Sequence, residues 1–115
     1  MTPRMRGHRA DLRRYAAQVQ RAVKKLMGTF NGVYSKVRVV PVDPNGIEYV
    51  YVFAEPKVAG SGTKEMDAYK PTLQTLFETA IAPEMEHLGF SNPTATWTYK
   101  NPDGSVLWTH TFSQR

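Results

Sequence analysis

The stretch Asp43-Pro44-Asn45-Gly46-Ile47-Glu48-Tyr49-Val50-Tyr51-Val52-Phe53-Ala54 decides how the chain is read. Its first four residues are turn chemistry: proline presets one backbone angle, and Asn-Gly supplies positive φ. The next eight alternate. Ile47, Tyr49, Tyr51 and Phe53 face one way, and Glu48, Val50, Val52 and Ala54 the other, which is the two-residue period of a half-buried strand. Upstream, Val33 to Val42 is rich in β-branched residues, so the turn closes a hairpin. Pro41 cannot donate to a ladder, which places the first strand at a sheet edge or at a bulge. Such an edge either pairs across a dimer or is protected by the proline, and the oligomeric state stays open between the two.

A second hairpin follows the same pattern. Strands at about Thr94–Lys100 and Ser105–Ser113 flank Asn101-Pro102-Asp103-Gly104. Each hairpin is preceded by an amphipathic segment. Over residues 9–27, Leu12, Tyr15, Ala16, Val19, Ala22, Val23, Leu26 and Met27 recur at the three-and-four spacing of one helical face, with Gly28 placed as a C-terminal cap. A second helix is expected from about Ala68 to Leu88, with Tyr69, Leu73, Leu76, Phe77, Ala80, Ile81 and Leu88 on its apolar face and Gly89 ending it. Pro71 is acceptable near a helix start, whereas Pro83 should kink or break the helix at about Ala82.

The expected fold is therefore α+β. Two helix–β-hairpin units in the order α-β-β-α-β-β build a four-stranded antiparallel sheet with both helices on one face. The repetition reads either as an ancestral duplication or as two hairpins given the same turn residues by physics. At 115 residues the chain is expected to be a single domain, 1–115. Residues 1–8 read as a flexible N-terminus. Residues 56–67, with Gly60-Ser61-Gly62, read as a mobile connector between the two units.

Composition narrows the function classes. An apolar fraction of 41% is enough to bury a core and argues against disorder. Cysteine is absent, which excludes disulfides and thiolate metal sites. No run approaches the ~20 apolar residues of a membrane span, so no membrane partner is expected. The segment MTPRMRGHRADLRRYAAQVQ is basic but lacks the apolar stretch of a signal peptide. The expected location is cytoplasmic as written, or extracellular if a leader has been removed.

Chemistry-bearing motifs are few. Glu84 and His87 have the i, i+3 spacing of helical carboxylate–histidine metal sites, but those need the motif twice, and a histidine near a helix C-terminus is favoured by the dipole alone. Gly60-Ser61-Gly62-Thr63-Lys64 lacks the glycine spacing of a phosphate loop. No nucleophile elbow or paired carboxylates stand out. No enzyme activity, cofactor or metal is expected. The aromatics Tyr49, Tyr51, Phe53, Trp97, Tyr99, Trp108 and Phe112 read as core and cross-strand packing or, less favoured, as a stacking platform on an exposed sheet face. Thr94, Thr96, Thr98, Thr109 and Thr111 suggest a polar face suited to β-sheet recognition or to plain exposure.

The sharpest electrostatic feature is the face of the first helix that carries Arg13, Arg14, Arg21, Lys24 and Lys25, in a chain of net charge +5. These five form the candidate binding surface. The leading expectation is a non-enzymatic protein-binding or inhibitor-type module. A small, basic, cysteine-free domain of this kind fits one carried by a phage or mobile element. The alternative is a nucleic-acid-binding protein using the basic helix face.

The segment Trp97 to Phe112, with its Asn101-Pro102-Asp103-Gly104 turn and final strand ending in phenylalanine, resembles the end of a family of small, uncharacterised bacterial helix–hairpin domains. Ile47–Phe53 is similar to the aromatic-rich first hairpin of those domains. The resemblance implies the helix–hairpin architecture and an exported or lipid-anchored location, and it implies no activity. This chain shows no leader of that kind.

Overall fold

A computed structural model describes residues 9–26, 32–60 and 62–113. The elements follow in the order α1 (Arg9–Leu26), β1 (Tyr34–Val42), β2 (Gly46–Phe53), α2 (Thr63–Leu76), a π-helical turn (Phe77–Ile81), α3 (Ala82–His87), β3 (Thr94–Lys100) and β4 (Val106–Phe112). The fold is α+β. Met27, the Gly28 cap and residues 1–8 lie outside the described residues.

The four strands form one sheet in the order β1-β2-β3-β4. β1 pairs with β2 and β3 with β4 in antiparallel fashion, as hairpins must. β2 pairs with β3 in parallel, from Gly46↔Thr94 to Val52↔Lys100. The sheet is mixed, and the expectation of an antiparallel sheet is overturned. The reason lies in the connection. The chain between Phe53 and Thr94 is long enough to carry α2 and α3 and to return to the end of the sheet from which β2 departs, and such a crossover joins parallel strands. Asn45 fixes the return: its carbonyl accepts from Thr94 N–H at 3.1 Å, and its Nδ2 donates to the Ser91 and Asn92 carbonyls at 2.6 and 2.7 Å.

β1 is an edge strand, as Pro41 requires. Its register irregularity sits between Tyr34 and Lys36, away from the proline. The first turn closes differently from the expectation. Gly46 does not adopt positive φ; it is already paired in β2, buried between Val42 and Thr94. A Cβ there would stand 2.6 Å from Thr94 Oγ1, so glycine is required by close approach. The Asp43–Pro44 peptide is cis. In the second turn Gly104 does carry φ 93°, and Asp103 accepts from both the N–H and the hydroxyl of Ser105.

The second helix begins at Thr63, inside the expected connector, so Pro71 lies in its interior. Met66 is half-buried and Asp67 accepts a bond from Trp108; these tertiary contacts favour helix ahead of the proline. Pro83 does not break the helix. One turn earlier the coil widens, and Ala82 N–H donates to the Phe77 carbonyl five residues back. In an unbroken α-helix Leu73 and Met85 would stand about 120° apart around the axis. The wider turn takes up that drift. Leu73, Phe77, Ile81, Ala82 and Met85 are all buried, whereas Ala80 is exposed and Tyr69 and Leu76 are 48% and 45% exposed.

One apolar cluster unites the elements of the described residues. It joins Leu12, Tyr15 and Ala16 of α1 with the buried residues of α2, α3 and the π-turn. From the sheet it takes Val39, Ile47, Tyr49, Ala95, Trp97, Tyr99, Trp108 and Phe112. α1 lies along β1, where Gln20 makes two bonds to the strand's backbone. Val39 N–H donates to Gln20 Oε1 at 2.6 Å, and Gln20 Nε2 donates to the Val37 carbonyl at 2.9 Å. A side-chain amide thus stands in for a neighbouring strand and covers part of the edge.

Candidate functional site

The aromatic residues stack in register because the central strands are parallel. Tyr49 lies on Trp97 with ring centroids 4.7 Å apart and planes 7° apart; Tyr51 lies on Tyr99 at 4.8 Å and 11°. Trp97 meets Phe112 edge-on at 5.5 Å. All of these residues belong to the cluster or pack against it, so they serve as core and cross-strand packing rather than as a platform on an exposed face. The threonines occupy the opposite side of the same strands. They bond laterally: Thr96 with Thr111 at 2.8 Å, Thr98 with Thr109 at 2.8 Å, and Thr98 Oγ1 donating to Glu48 Oε2 at 2.6 Å. Thr98 is consequently buried, and much of this face satisfies its own hydrogen bonds.

On the aromatic side a cleft of about 430 Å³ remains between α2 and the sheet. Met66, Tyr69, Leu73 and Leu76 form one wall, at the 3-4-3 spacing of a single helical stripe. Tyr34 of β1, Tyr51 of β2, and Trp97 and Tyr99 of β3 form the other. A second recess of about 250 Å³ shares Met66 and Tyr99 and adds Phe53, Lys57, Glu65, Leu107 and Trp108. Lys57 Nζ sits 5.3 Å from the centre of the Phe53 ring. Asn101 positions this lysine. Lys57 N–H donates to Asn101 Oδ1 at 2.6 Å, and Asn101 Nδ2 donates to the Lys57 carbonyl at 2.9 Å.

Burial raises the Tyr34, Tyr51 and Tyr99 phenols above their ordinary value, and neighbouring phenols, Tyr69 among them, add to the effect. They remain protonated through the physiological range. Chemically, the cleft offers apolar ring surface and neutral hydroxyl groups, with one ammonium and one carboxylate in the adjoining recess.

The residues singled out from the sequence lie elsewhere. Arg13, Arg14, Arg21, Lys24 and Lys25 are all exposed along α1. Arg14 pairs with Asp11 at 2.9 Å, with its own side chain 68% exposed. Glu84 and His87 are exposed at the end of α3, and among the described residues no three His, Asp or Glu side chains gather as metal ligands. No helix among the described residues is long and apolar enough to cross a membrane. The cleft escapes a reading by periodicity, which assigns Tyr69 and Leu76 to the buried face. The one available signal was Pro83, whose accommodation changes the helical phase. Comparison with protein-family models, curated proteins and solved structures finds no match to the chain.

Proposed function

We propose that the protein is a non-enzymatic protein-binding module, and that its contact surface is the cleft between α2 and the aromatic columns of β2 and β3. The observation that carries this reading is the exposure of Tyr69 and Leu76 on the rim of a cleft otherwise lined by Leu73 and by tyrosine, tryptophan and methionine. Those residue types anchor protein interfaces, because they bury large area at small entropic cost. The occupant is a segment of a partner protein that inserts one or two apolar or aromatic side chains. The α2 wall runs from Met66 to Leu76, about 15 Å along the helix, which suits several peptide residues better than an enclosed small molecule. A carboxylate on the partner would meet Lys57 in the adjoining recess. Both helices lie on one side of the sheet in this reading, which the single cluster they share with one set of strand residues supports.

The test is selection of peptides from a displayed library, with binding followed through the intrinsic fluorescence of Trp97 in the cleft wall and Trp108 in the adjoining recess. Selected peptides should bind about tenfold or more weakly to Leu76→Asp and Tyr69→Asp, as expected for central anchors. Val42→Asp, a comparably exposed position at the far end of β1, should bind as the parent does. If the three variants behave alike, the cleft is not the contact surface.

A further inference from the structure

The structure adds two cations to the basic face of α1 and places them at the same edge. Gln20 holds α1 against β1 through Val37 and Val39. Around the helix Arg13 and Lys24 stand only about 20° and 40° from Gln20, so they project along the β1 edge, about 16 Å apart on the helix axis. Strand alternation puts Val37 and Val39 toward the core. Lys36 and Arg38 are thereby exposed on the other side of the same strand, about 7 Å from each other. Four cations border one edge from its two sides. Among the described residues the ion pairs are Arg14–Asp11 and Lys70–Asp67, and neither involves these four. Glu48, which strand alternation puts on that same sheet face, accepts from Thr98 on the side away from β1.

We propose that this strip around the β1 edge, Arg13 and Lys24 with Lys36 and Arg38, holds the phosphate backbone of duplex nucleic acid without reading its sequence. The occupant follows from charge complementarity. A duplex carries one negative charge per ~1.7 Å of axis, so a 16 Å strip of uniform positive sign faces phosphates along its whole length. A single strand is held largely by stacking on aromatic rings, and the four strip residues include none. Protein interfaces are depleted in lysine, whereas phosphate contacts are made by lysine and arginine. The site is separate from the aromatic cleft and does not depend on it.

The experiment is fluorescence anisotropy of a labelled 20-base-pair duplex of random sequence, titrated with the whole protein across a salt series. With four phosphates neutralised, log K should fall against log salt with a slope of about −3.6. Arg13→Gln with Lys24→Gln, and Lys36→Gln with Arg38→Gln, should each lower the slope by about 1.8 and weaken binding at low salt. Lys64→Gln with Lys70→Gln on α2 removes the same charge elsewhere and should leave the slope unchanged. Circular dichroism confirms that each variant is folded. Three outcomes overturn the proposal: no binding at low salt, equal weakening by all three pairs, or tighter binding to polyglutamate than to the duplex. The last of these would assign the strip to an acidic protein.

Discussion

Replacing Gln20 by alanine should loosen the edge of the sheet, and the size of the effect follows from two hydrogen bonds. Removal of the carboxamide leaves Val39 N–H and the Val37 carbonyl without their partner. The site is half-buried, so water reaches it imperfectly, and an orphaned backbone group in that setting costs about 1–3 kcal/mol. Alanine returns a few tenths of a kcal/mol through its better helix propensity. The net expected loss is about 2 kcal/mol. For 115 residues the unfolding entropy is on the order of 0.24 kcal/mol/K, so Tm should fall by about 8 °C. Urea unfolding followed by tryptophan fluorescence measures the free energy. Gln20→Met keeps the length and apolar stem but cannot bond, and it should lose nearly as much as the alanine variant. Gln18→Ala, exposed on the same helix, should change stability by less than about 0.5 kcal/mol. The Val39 amide should exchange faster in both Gln20 variants. The freed edge should also promote association at high protein concentration, seen by sedimentation, because unpaired strand groups template further strands. Equal stability of Gln20→Ala and Gln18→Ala, with Val39 exchange unaltered, would refute the idea that the amide acts as a surrogate strand.

Gly46→Ala should destabilise by about 2 kcal/mol or more in the same urea assay, since its Cβ would sit 2.6 Å from Thr94 Oγ1. Thr94→Ala should recover part of that loss, and no recovery would mean that the clash lies with Val42. Asp67→Ala should cost about 1–2 kcal/mol and shift the Trp108 emission by leaving the indole N–H without its acceptor at 3.0 Å, whereas Asp67→Asn should retain most of the stability. Alkaline pH should unfold the protein earlier than a fold with free phenols. Burial holds Tyr15 up at about 12 and raises Tyr34, Tyr51 and Tyr99 as well, so the folded state favours the neutral phenol. That stability is fully present below about pH 10 and is lost as pH rises toward the folded values, at about 1.4 kcal/mol per pH unit for each phenol. Melting temperatures measured from pH 8 to 11.5 should be flat at first and then fall steeply; a decline that starts below pH 9 would contradict burial as the cause.

Local chemistry made the hairpins legible. The alternation of Ile47 to Phe53 and the β-branched run before it leave few alternatives to a strand pair, and Pro41 marks the edge correctly. The parallel pairing of β2 with β3 is not written in any one segment. It depends on where the long connection returns, and the residue that anchors the return, Asn45, reads in sequence as an ordinary turn residue. Gly46 is misleading for a related reason: glycine before a strand signals a turn, yet here it answers to Thr94, 48 positions away. The basic face of α1 is legible because charge needs no partner to be seen. Its extension onto Lys36 and Arg38 is hidden, because only the Gln20 clamp reveals which side of the helix meets the strand.

The cleft is a consequence of the same topology. α1 lies along β1, and α2 approaches β4, where Asp67 meets Trp108. The two central strands therefore sit between the helices, and their side chains must be the ones that fill or fail to fill the gap. Parallel register sets ring on ring there, Tyr49 on Trp97 and Tyr51 on Tyr99, so the rings satisfy one another and form a firm floor. The helix above cannot close onto that floor along its whole length. Its buried line runs through Leu73, Phe77, Ile81 and Met85, and the π-turn preceding Pro83 keeps that line aligned to the far end. With the helix pinned by these residues, Tyr69 and Leu76 overhang, while Met66 packs partly against the core. The π-turn beside Pro83 thus keeps the helix pinned along one buried line, and Tyr69 and Leu76, which lie off that line, form the exposed rim of the cleft.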